Sequence, residues 1–431
     1  MNDDIIFALS SGAGKSGVAV VRISGDNLGD MFTQISHRDE YDARHAYFTN
    51  LTDTSGDLID QAIVIYFAAP ASFTGQDVIE IHCHGAPAVI TKVFDHLRTL
   101  GGRMAMRGEF SRRAFYNNKM DLADIDGLAA LLDAQTDNQR KSALKSMTGT
   151  DSKIYDTWRG QMIEIAGYAA AMLDYADDEL PANIGDKLRS HTQKLYDEIN
   201  TSLSRYAAVR VIRNGFNIVL AGDTNVGKSS LFNRIVGANR AIVSDIPGTT
   251  RDVVSAQLDI GGFMVNLSDT AGIRDATDTI EKIGIAKTKS QIADADLVIR
   301  VYAENTDVNA AANELVVINK SDTIQDRNST GAIYVSAKTG DGIDTLMSAI
   351  RERILKITDG TESSLAVNER TRDLLTDAAA ELKAALKLPR KNNDMFSEHV
   401  RRAADNIGKI LGTITAADVM DATFSQLCLG K

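Results

Sequence analysis

The sequence predicts a multidomain α/β protein in which an α+β domain comes first and a mostly parallel α/β domain is inserted into an all-α helical domain. Three observations support this prediction. The chain has 431 residues, more than a single hydrophobic core usually organises. Two long segments have the period of amphipathic helices, and between them apolar strands alternate with helices as in βαβ units.

The first domain, residues 1–117, is predicted to be α+β. Apolar residues alternate with polar ones in three strand-like runs, and one stretch has a helical period. The strand-like runs cover residues 17–24, 62–67 and 77–84, and the helical stretch covers residues 88–100.

The helical domain is predicted in two parts, residues 118–210 and 359–431. Breaks are expected near residues 148–151 and near Pro181, and the second part follows a polar linker. A helical segment on each side of an α/β domain, here residues 211–358, favours one helical domain whose halves pack together. Periodicity does not by itself establish that packing.

The composition favours a soluble protein with reduced thiols. With 44% hydrophobic and 24% charged residues and no long apolar run, no membrane span is expected. The acidic start lacks the basic region of a signal peptide, which predicts a cytoplasmic location. Cys83 and Cys428 lie far apart in sequence, so a disulfide is not expected. The net charge of −11 opposes autonomous nucleic-acid binding, so any such contact should be local or shared with a partner.

The stretch GDTNVGKSS, residues 222–230, matches the phosphate-binding pattern G-x-x-x-x-G-K-[ST] between an apolar strand and a helix. Glycines such as Gly227 let backbone N–H groups turn toward phosphates. Lys228 would neutralise the β and γ oxygens, and the Ser229 hydroxyl is a candidate Mg²⁺ ligand. The earlier SSGAGKSG, residues 10–17, lacks the first glycine because Leu9 stands there, so it is interpreted as a flexible loop.

Three short motifs follow later strands. DTAG, beginning at Asp269, is where an aspartate can hold the Mg²⁺ shell and Gly272 can sense the γ-phosphate. NKSD places Asp322 where it can accept two hydrogen bonds from N1 and N2 of guanine, while Lys320 covers the base. Adenine would leave that carboxylate unpaired, which predicts specificity for GTP. SAK, residues 336–338, is expected to support the base through backbone amides.

The phosphate-binding stretch at residues 222–230 is called the P-loop below. The segment between it and DTAG reads VSDIPGTTRD, residues 243–252. Thr249 and Thr250 are candidates for closing over the γ-phosphate and the metal, and the Pro-Gly pair is equally natural as a turn. Ile273 stands where many GTPases carry a water-orienting glutamine. Glu281 is a first-turn helix acid and also a candidate general base or water orienter.

Two features find no such role. In IHCHG, His82 and His84 share one strand face, but no second Cys/His pair completes a zinc set, so a polar surface is favoured over a metal site. Arg300 interrupts an apolar strand, and the sequence offers no physical account of it.

Several longer stretches resemble the MnmE (TrmE) family of GTPases that modify the tRNA wobble uridine. They are GDTNVGKSSLFN, DIPGTTRD, DTAGIRDATDTIEKIGIAK, NKSD, SFTGQDVIEIHCHG, RGEFSRRAFYNNKMDLADIDGLAALLDA and the ending FSQLCLGK. The likeness covers nearly the whole chain and implies a folate-binding-like first domain that also dimerises, and an inserted Ras-like G domain. The implied GTP-binding residues are Asn225, Val226, Gly227, Lys228, Ser229, Ser230, Ser244, Thr249, Thr250, Asp269, Gly272, Asn319, Lys320, Asp322, Ser336, Ala337 and Lys338.

The resemblance implies a homodimer whose G domains meet across their nucleotide faces. K⁺ would replace the charge of an arginine finger, with Mg²⁺ at Ser229, Thr250 and Asp269, and the family's catalytic acid falls on Glu281. Ser244 stands where the family usually has threonine. The implied K⁺ ligands are Asn225, Ser244, Ile246 and Thr249.

The resemblance also implies a tetrahydrofolate derivative, in the 5-formyl or 5,10-methylene form, as one-carbon donor. Loop 10–17 departs from the family's PPGRGG, which places the rim of that pocket in question. Cys428 falls near the implied modification centre. The partners would be tRNA and the FAD-containing MnmG (GidA) in a heterotetramer or larger complex, adding an aminomethyl or carboxymethylaminomethyl group. The implied folate ligands are Arg22, Glu80, Lys119 and Lys431.

Two other functions compete with this hypothesis. A regulatory or ribosome-assembly GTPase acting as a binding switch would usually carry a basic RNA-binding module, and none is visible in the sequence. A G-domain scaffold that binds GTP without hydrolysis would be favoured if Glu281→Ala left turnover unchanged.

Overall fold

The structure is a computed structural model that describes residues 4–174, 183–241, 254–269, 291–306, 310–359 and 368–412. These residues form two compact units that interleave along the chain. Unit 1 draws on residues 1–129, 146–185 and 387–431, and unit 2 on residues 130–145 and 186–386. The domain boundaries at residues 117, 210 and 358 stay a prediction.

Unit 1 contains a six-stranded sheet with the order β3-β4-β5-β2-β1-β6, antiparallel except where β6 runs parallel to β1. Its elements are β1 (Ile6–Leu9), β2 (Ser16–Gly25), α1 (Gly29–Ser36), β3 (Ala46–Thr52), β4 (Leu58–Phe67), β5 (Asp77–Gly85), α2 (Pro87–Thr99), β6 (Arg103–Met104) and α3 (Glu109–Tyr116). The inner face of the sheet packs on α1 and α2 through buried Val21, Ile23, Val64, Ile79, Ile81, Phe32 and Leu97.

The strands at residues 17–24, 62–67 and 77–84 and the helix at 88–100 are confirmed. Of the imperfect phosphate motif at residues 10–17, residues 10–15 form a loop as predicted, whereas Ser16 and Gly17 belong to β2. The sequence did not predict β3, because two of its residues break the usual alternation of apolar and polar side chains. Thr49 is buried in β3, while Phe48 is 62% exposed.

Within the described ranges, the segments that precede and follow the second sheet form seven helices. They are α4 (Leu122–Asp133), α5 (Asp137–Met147), α6 (Thr150–Asp174), α7 (Ile184–Ser204), α8 (Tyr206–Asn214), α11 (Glu369–Lys387) and α12 (Asn393–Leu411). Helices from the two sides pack together in each unit. In unit 1, Asn393 Nδ2 of α12 donates to Met172 O of α6 (3.3 Å). In unit 2, Arg189 Nη1 of α7 donates to Leu386 O of α11 (3.0 Å).

The break expected near residues 148–151 is confirmed at Gly149, whose φ of +74° ends the run of helix. The break near Pro181 falls outside the described residues. A further break at residues 134–136 was missed, although its signal is in the sequence. Gln139 Oε1 accepts from Thr136 N (3.1 Å) and Gln139 N donates to Thr136 Oγ1 (3.4 Å), which is a T-x-x-Q capping box. No helix in the described ranges combines the length and apolarity that a membrane crossing requires.

Unit 2 contains a seven-stranded sheet with the order β13-β12-β11-β7-β10-β9-β8. Five neighbouring strands are parallel, and β9 and β8 add an antiparallel edge, which confirms the mostly parallel prediction. The carboxyl ends of parallel strands meet at one edge of such a sheet, where ligands bind. The elements are β7 (Phe216–Ala221), α9 (Lys228–Ala238), β8 (Arg240–Ala241), β9 (Val254–Ile260), β10 (Phe263–Asp269), β11 (Leu297–Tyr302), β12 (Glu314–Ile318), β13 (Ile333–Tyr334) and α10 (Ile343–Thr358).

Arg300, which the sequence alone did not explain, forms an ion pair with Glu314 on the adjacent strand. Arg300 stands opposite Val316 in the register of β11 and β12, so Glu314 is its diagonal neighbour. The Arg300 guanidinium holds the pKa of Glu314 below its usual value. The arginine therefore joins two strands of the sheet.

The first turn of α4 contains a half-buried carboxyl group. Asp124 Oδ2 accepts from Asp121 N (3.1 Å) and Asp124 Oδ1 accepts from Ser152 Oγ (3.4 Å). Burial raises the pKa of Asp124 to about 6, well above the usual value for an aspartate. Folding therefore favours the protonated acid, and the associated stability is lost as pH rises through about 6.

Asp124→Asn is expected to stabilise the protein by about 1–2 kcal/mol at pH 7.5, a value that is reduced to allow for partial exposure. The neutral amide avoids the cost of a half-buried charge and keeps one hydrogen-bond acceptor. Urea unfolding measured from pH 5 to 8 checks this, with the exposed Asp156→Asn of α6 as control. Equal stabilities of Asp124→Asn and wild type at pH 7.5 would contradict the prediction.

Candidate nucleotide site

The P-loop connects the buried strand β7 to the first turn of α9. Gly222, at φ +146°, lies so close to β11 that a Cβ atom would stand 2.2 Å from Val301 O. The loop then curls around the Lys228 ammonium, which donates to Gly222 O (3.0 Å) and Asp223 O (2.7 Å). Lys228 is 7% exposed, so its charge lies inside the curve of the loop. That is where a P-loop lysine neutralises the β and γ phosphates.

Ser229 and Asp269, the two described candidates for magnesium, are in direct contact. Ser229 Oγ donates to Asp269 Oδ2 at 2.7 Å. Strand pairing brings them together, because Asp269 at the end of β10 is paired with Leu220 at the end of β7. A hydroxyl and a carboxylate are hard oxygen donors of the kind that Mg²⁺ prefers. This pair therefore fits a magnesium ion, and Thr250 lies outside the described residues.

Asn319 connects the P-loop to the two loops expected at the base. Its Nδ2 donates to Val226 O (3.0 Å), and its Oδ1 accepts from Ala337 N (3.0 Å). Asn319 is 2% exposed, so both hydrogen bonds are shielded from water. Next to it Lys320, at φ +59°, extends along the P-loop and donates from Nζ to Asn225 O (2.9 Å). The NKSD motif thus braces the phosphate loop.

Asp322 lies on the solvent side of this brace. Ser336 Oγ donates to Asp322 Oδ1 at 2.7 Å, and this hydrogen bond keeps the pKa of Asp322 below its usual value. The side chain is therefore a carboxylate at neutral pH, able to accept the two donors of a guanine edge. A base edge without N–H donors would leave this carboxylate without hydrogen bonds from the ligand.

The structure brings together most of the predicted GTP-binding residues at the carboxyl edge of one sheet. Ser230 lies exposed in the first turn of α9, and Lys338 follows Ala337 in the SAK loop. Several predicted residues lie outside the described ranges. They are Ser244, Ile246, Thr249, Thr250, Gly272, Glu281, Cys428 and Lys431.

Arg22, Glu80 and Lys119, the described candidates for folate, lie in unit 1. Arg22 and Glu80 face each other across β2 and β5, and Arg22 donates to Glu80 Oε1 from Nε (3.0 Å) and Nη2 (2.8 Å). The guanidinium also lies 5.0 Å from the centre of the Phe73 ring. Lys119 Nζ donates to Pro70 O (3.0 Å), in the same loop as Phe73.

The IHCHG strand makes other contacts. His84 Nδ1 lies 2.8 Å from Asp60 Oδ1, and His82 Nε2 lies 3.3 Å from Glu80 Oε2. Burial raises the pKa of the Cys83 thiol to about 11. Within the described ranges, His, Cys, Asp and Glu side chains form no cluster of three that could hold a metal ion.

One residue at this site was missed from the sequence. Arg234 of α9 donates to two backbone carbonyls of the SAK loop, those of Ala337 and Lys338. An arginine on an amphipathic helix is typical of a solvated face, so its spacing gives no signal of this contact.

A P-loop beside a base-recognition loop of the NKxD type defines a P-loop GTPase. Comparison with known proteins identifies the family within this class. Residues 5–119 match the family model described as GTP-binding protein TrmE N-terminus, and residues 122–428 match the MnmE helical domain. The chain belongs to the MnmE family of tRNA modification GTPases.

The similarity to these relatives extends over the full length of the chain. The chain is 38% identical over 439 residues to the tRNA modification GTPase MnmE of Parvibaculum lavamentivorans, covering 99% of this chain and all of that protein. It is 36% identical over 438 residues to that of Rhizobium etli, with both chains fully covered. Among solved structures, it is similar to the G domain of Thermotoga maritima FeoB (25% identity, 33% of this chain, 99% of that one, TM-score 0.24).

Proposed function

We propose that the chain is a K⁺-stimulated GTPase whose GTP hydrolysis to GDP and phosphate drives modification of the tRNA wobble uridine at C5. In this proposal it acts in the cytoplasm as a homodimer, with an FAD-containing partner of the MnmG type and a tetrahydrofolate one-carbon donor. One observation carries the GTPase part. Lys228, the Ser229–Asp269 pair and the Asn319–Asp322 motif converge at one sheet edge.

These residues divide the recognition of GTP between them. The loop amides and Lys228 hold the phosphates, and the carboxylate of Asp322 recognises N1 and N2 of guanine. Lys320 is held along the P-loop by its bond to Asn225 O, which lets its aliphatic stem cover the base. The same bonds tie the base side of the site to the phosphate side.

Hydrolysis also requires a group that orients the attacking water, and Ile273 cannot do this through a hydrogen bond. We assign that role to Glu281, as general base or water orienter. Ser229, Thr250 and Asp269 would hold Mg²⁺, which supplies charge neutralisation between the β and γ phosphates. Asn225, Ser244, Ile246 and Thr249 would hold K⁺, which supplies positive charge near the leaving group. Asn225 is exposed in the P-loop at φ +63°, open to such a role.

The folate part of the proposal is supported by the pair on β2 and β5. Glu80 supplies a carboxylate that can accept from the amino and ring N–H groups of a pterin, and Arg22 holds that carboxylate in place. Phe73 adds an aromatic face beside them. Lys119, and Lys431 at the end of the chain, would contribute positive charge for the folate carboxylates.

The experiment that tests the hydrolysis mechanism is GTP turnover in KCl against NaCl at matched ionic strength, for wild type and Glu281→Ala. We expect strong stimulation by K⁺ in wild type and a loss of turnover of about 10²–10⁴-fold in the variant. GDP affinity should change little, because Glu281 acts on water rather than on the bound nucleotide. Glu304→Ala, which removes an exposed acid of the same unit, is the control.

Turnover that ignores both K⁺ and Glu281 would overturn this mechanism. Tight GTP binding with negligible wild-type turnover in either salt would favour a regulatory GTPase that acts as a binding switch. A loss of turnover in both Glu281→Ala and Glu304→Ala would point to a general structural effect rather than to water orientation.

A further inference from the structure

Arg234 belongs to none of the nucleotide-binding motifs, yet it contacts one of the loops that they form. It projects from α9, the helix that begins at the P-loop lysine, toward the SAK loop. Its Nε donates to Ala337 O at 2.8 Å and its Nη2 to Lys338 O at 2.6 Å. A planar guanidinium that donates to two successive carbonyls fixes the orientation of both peptide groups.

These bonds complete a circuit through the three nucleotide loops. Ala337 N donates to Asn319 Oδ1, and Asn319 Nδ2 donates to Val226 O in the P-loop. From Val226 the chain continues directly into α9 and so returns to Arg234. The SAK loop is therefore fixed from two sides, by Asn319 through an N–H and by Arg234 through two carbonyls. The attachment through Arg234 can be removed by substitution without changing any residue of the NKSD motif.

The direction of the Lys338 amide follows from this arrangement. A trans peptide directs its C=O and N–H to opposite sides. Because Arg234 holds Ala337 O toward α9, the N–H of Lys338 is directed away from α9. The next amide is already occupied, since Thr339 N donates to Ser336 Oγ at 3.1 Å. Lys338 N–H is therefore the amide of this turn that is oriented to meet an acceptor on a ligand.

We infer that Arg234 is a positioning residue for guanine, holding the SAK loop so that the Lys338 amide donates to the O6 atom of the base. This inference rests on the proposed GTP-binding function. Adenine has an amino donor at that ring position, so the oriented amide would discriminate between the bases as well as add affinity. Arg234 does not touch the nucleotide, and its effect passes through the loop.

The test uses the full chain with Arg234→Ala and Arg234→Lys. The control is Arg353→Ala, because Arg353 of α10 also donates to two backbone carbonyls, those of Ala312 and Glu314, at the start of β12. That loop lies at the opposite end of the strand from the NKSD motif. The Kd values of fluorescent GDP and ADP analogues, KM and kcat for GTP, and Tm are measured for each protein.

For Arg234→Ala we expect the Kd for GDP and the KM for GTP to rise roughly tenfold, while kcat changes little. The Kd for ADP should hardly change, so that the preference for GDP over ADP falls by the same factor. Arg234→Lys should restore part of the affinity, because one ammonium can reach one of the two carbonyls. Arg353→Ala should leave the preference for GDP unchanged even if its Tm falls.

Three outcomes overturn the inference while leaving the proposed GTPase function standing. They are an unchanged GDP affinity in Arg234→Ala, an equal loss for GDP and ADP, and an equal loss in Arg353→Ala. A wild-type protein that does not prefer GDP to ADP would instead contradict the proposed function itself, and the inference with it.

Discussion

Asp322→Asn is expected to lower the affinity for GDP on the order of 10³-fold and to create affinity for xanthosine diphosphate. Wild-type Asp322 is a carboxylate at neutral pH, since the hydrogen bond from Ser336 lowers its pKa. In the proposed site, this carboxylate accepts hydrogen bonds from two N–H donors of guanine. An asparagine amide places a donor where guanine has its amino group, so two donors face each other. Xanthine has a carbonyl oxygen at that position, which restores the pairing.

The measurement is a titration of wild type and Asp322→Asn with fluorescent GDP and with xanthosine diphosphate. Asp326→Asn, which changes an exposed aspartate a few residues along the chain, is the control. A variant that still binds GDP tightly would place the guanine edge elsewhere. Loss of both nucleotides would show that the substitution disturbs the loop rather than its specificity.

The parts of this site that could be predicted from the sequence are those whose chemistry is local. A P-loop has its glycines, lysine and serine within one short segment, and the NKSD and DTAG motifs each follow an apolar strand. Parallel strands then bring these segments to the same edge, so Ser229 and Asp269 meet although they are far apart in the chain. Short motifs together with one topological rule were therefore sufficient for the core of the site.

The parts that were missed depend on partners that no local pattern reveals. From the sequence, Arg234 is interpreted as a solvated helix residue, and only the tertiary structure shows that the SAK loop lies beside it. Arg300 interrupts an apolar strand, and only the register of β11 against β12 shows that Glu314 is within reach. Cross-strand and helix-to-loop contacts are set by tertiary packing, which overrides the periodicity of a single segment.

The helix break before α5 is a different case, because its signal is local. The capping pair of Thr136 and Gln139 is visible in the sequence, but the helical spacing of the apolar residues on both sides of it hides the break. In the folded chain Gln139 has a second attachment, because its Nε2 donates to Arg213 O at 2.9 Å. A cap supported by a tertiary hydrogen bond therefore separates two helices at a point where the helical period alone predicts one continuous helix.

The second large effect concerns Gly227, at the junction of the P-loop and α9. Its φ of +92° belongs to the left-handed region, and a Cβ there would stand 2.3 Å from Asn319 Nδ2. Asn319 Nδ2 donates to Val226 O (3.0 Å), so a methyl group at residue 227 would drive apart the two loops that this bond joins. A displacement of about 1 Å in a positioned site can cost on the order of 100-fold in function.

Gly227→Ala is accordingly expected to weaken GDP binding by about 100-fold or more and to destabilise the fold by about 1–3 kcal/mol. Gly237→Ala is a matched control on the same helix, because its Cβ would meet nothing within 4 Å. An alanine in that helical position should stabilise slightly, by about 0.5–1 kcal/mol. Calorimetric GDP titration and thermal unfolding of both variants check the pair. Normal GDP binding by Gly227→Ala would mean that Asn319 can withdraw without loss, and that the bond between the NKSD motif and the P-loop is dispensable for holding the nucleotide.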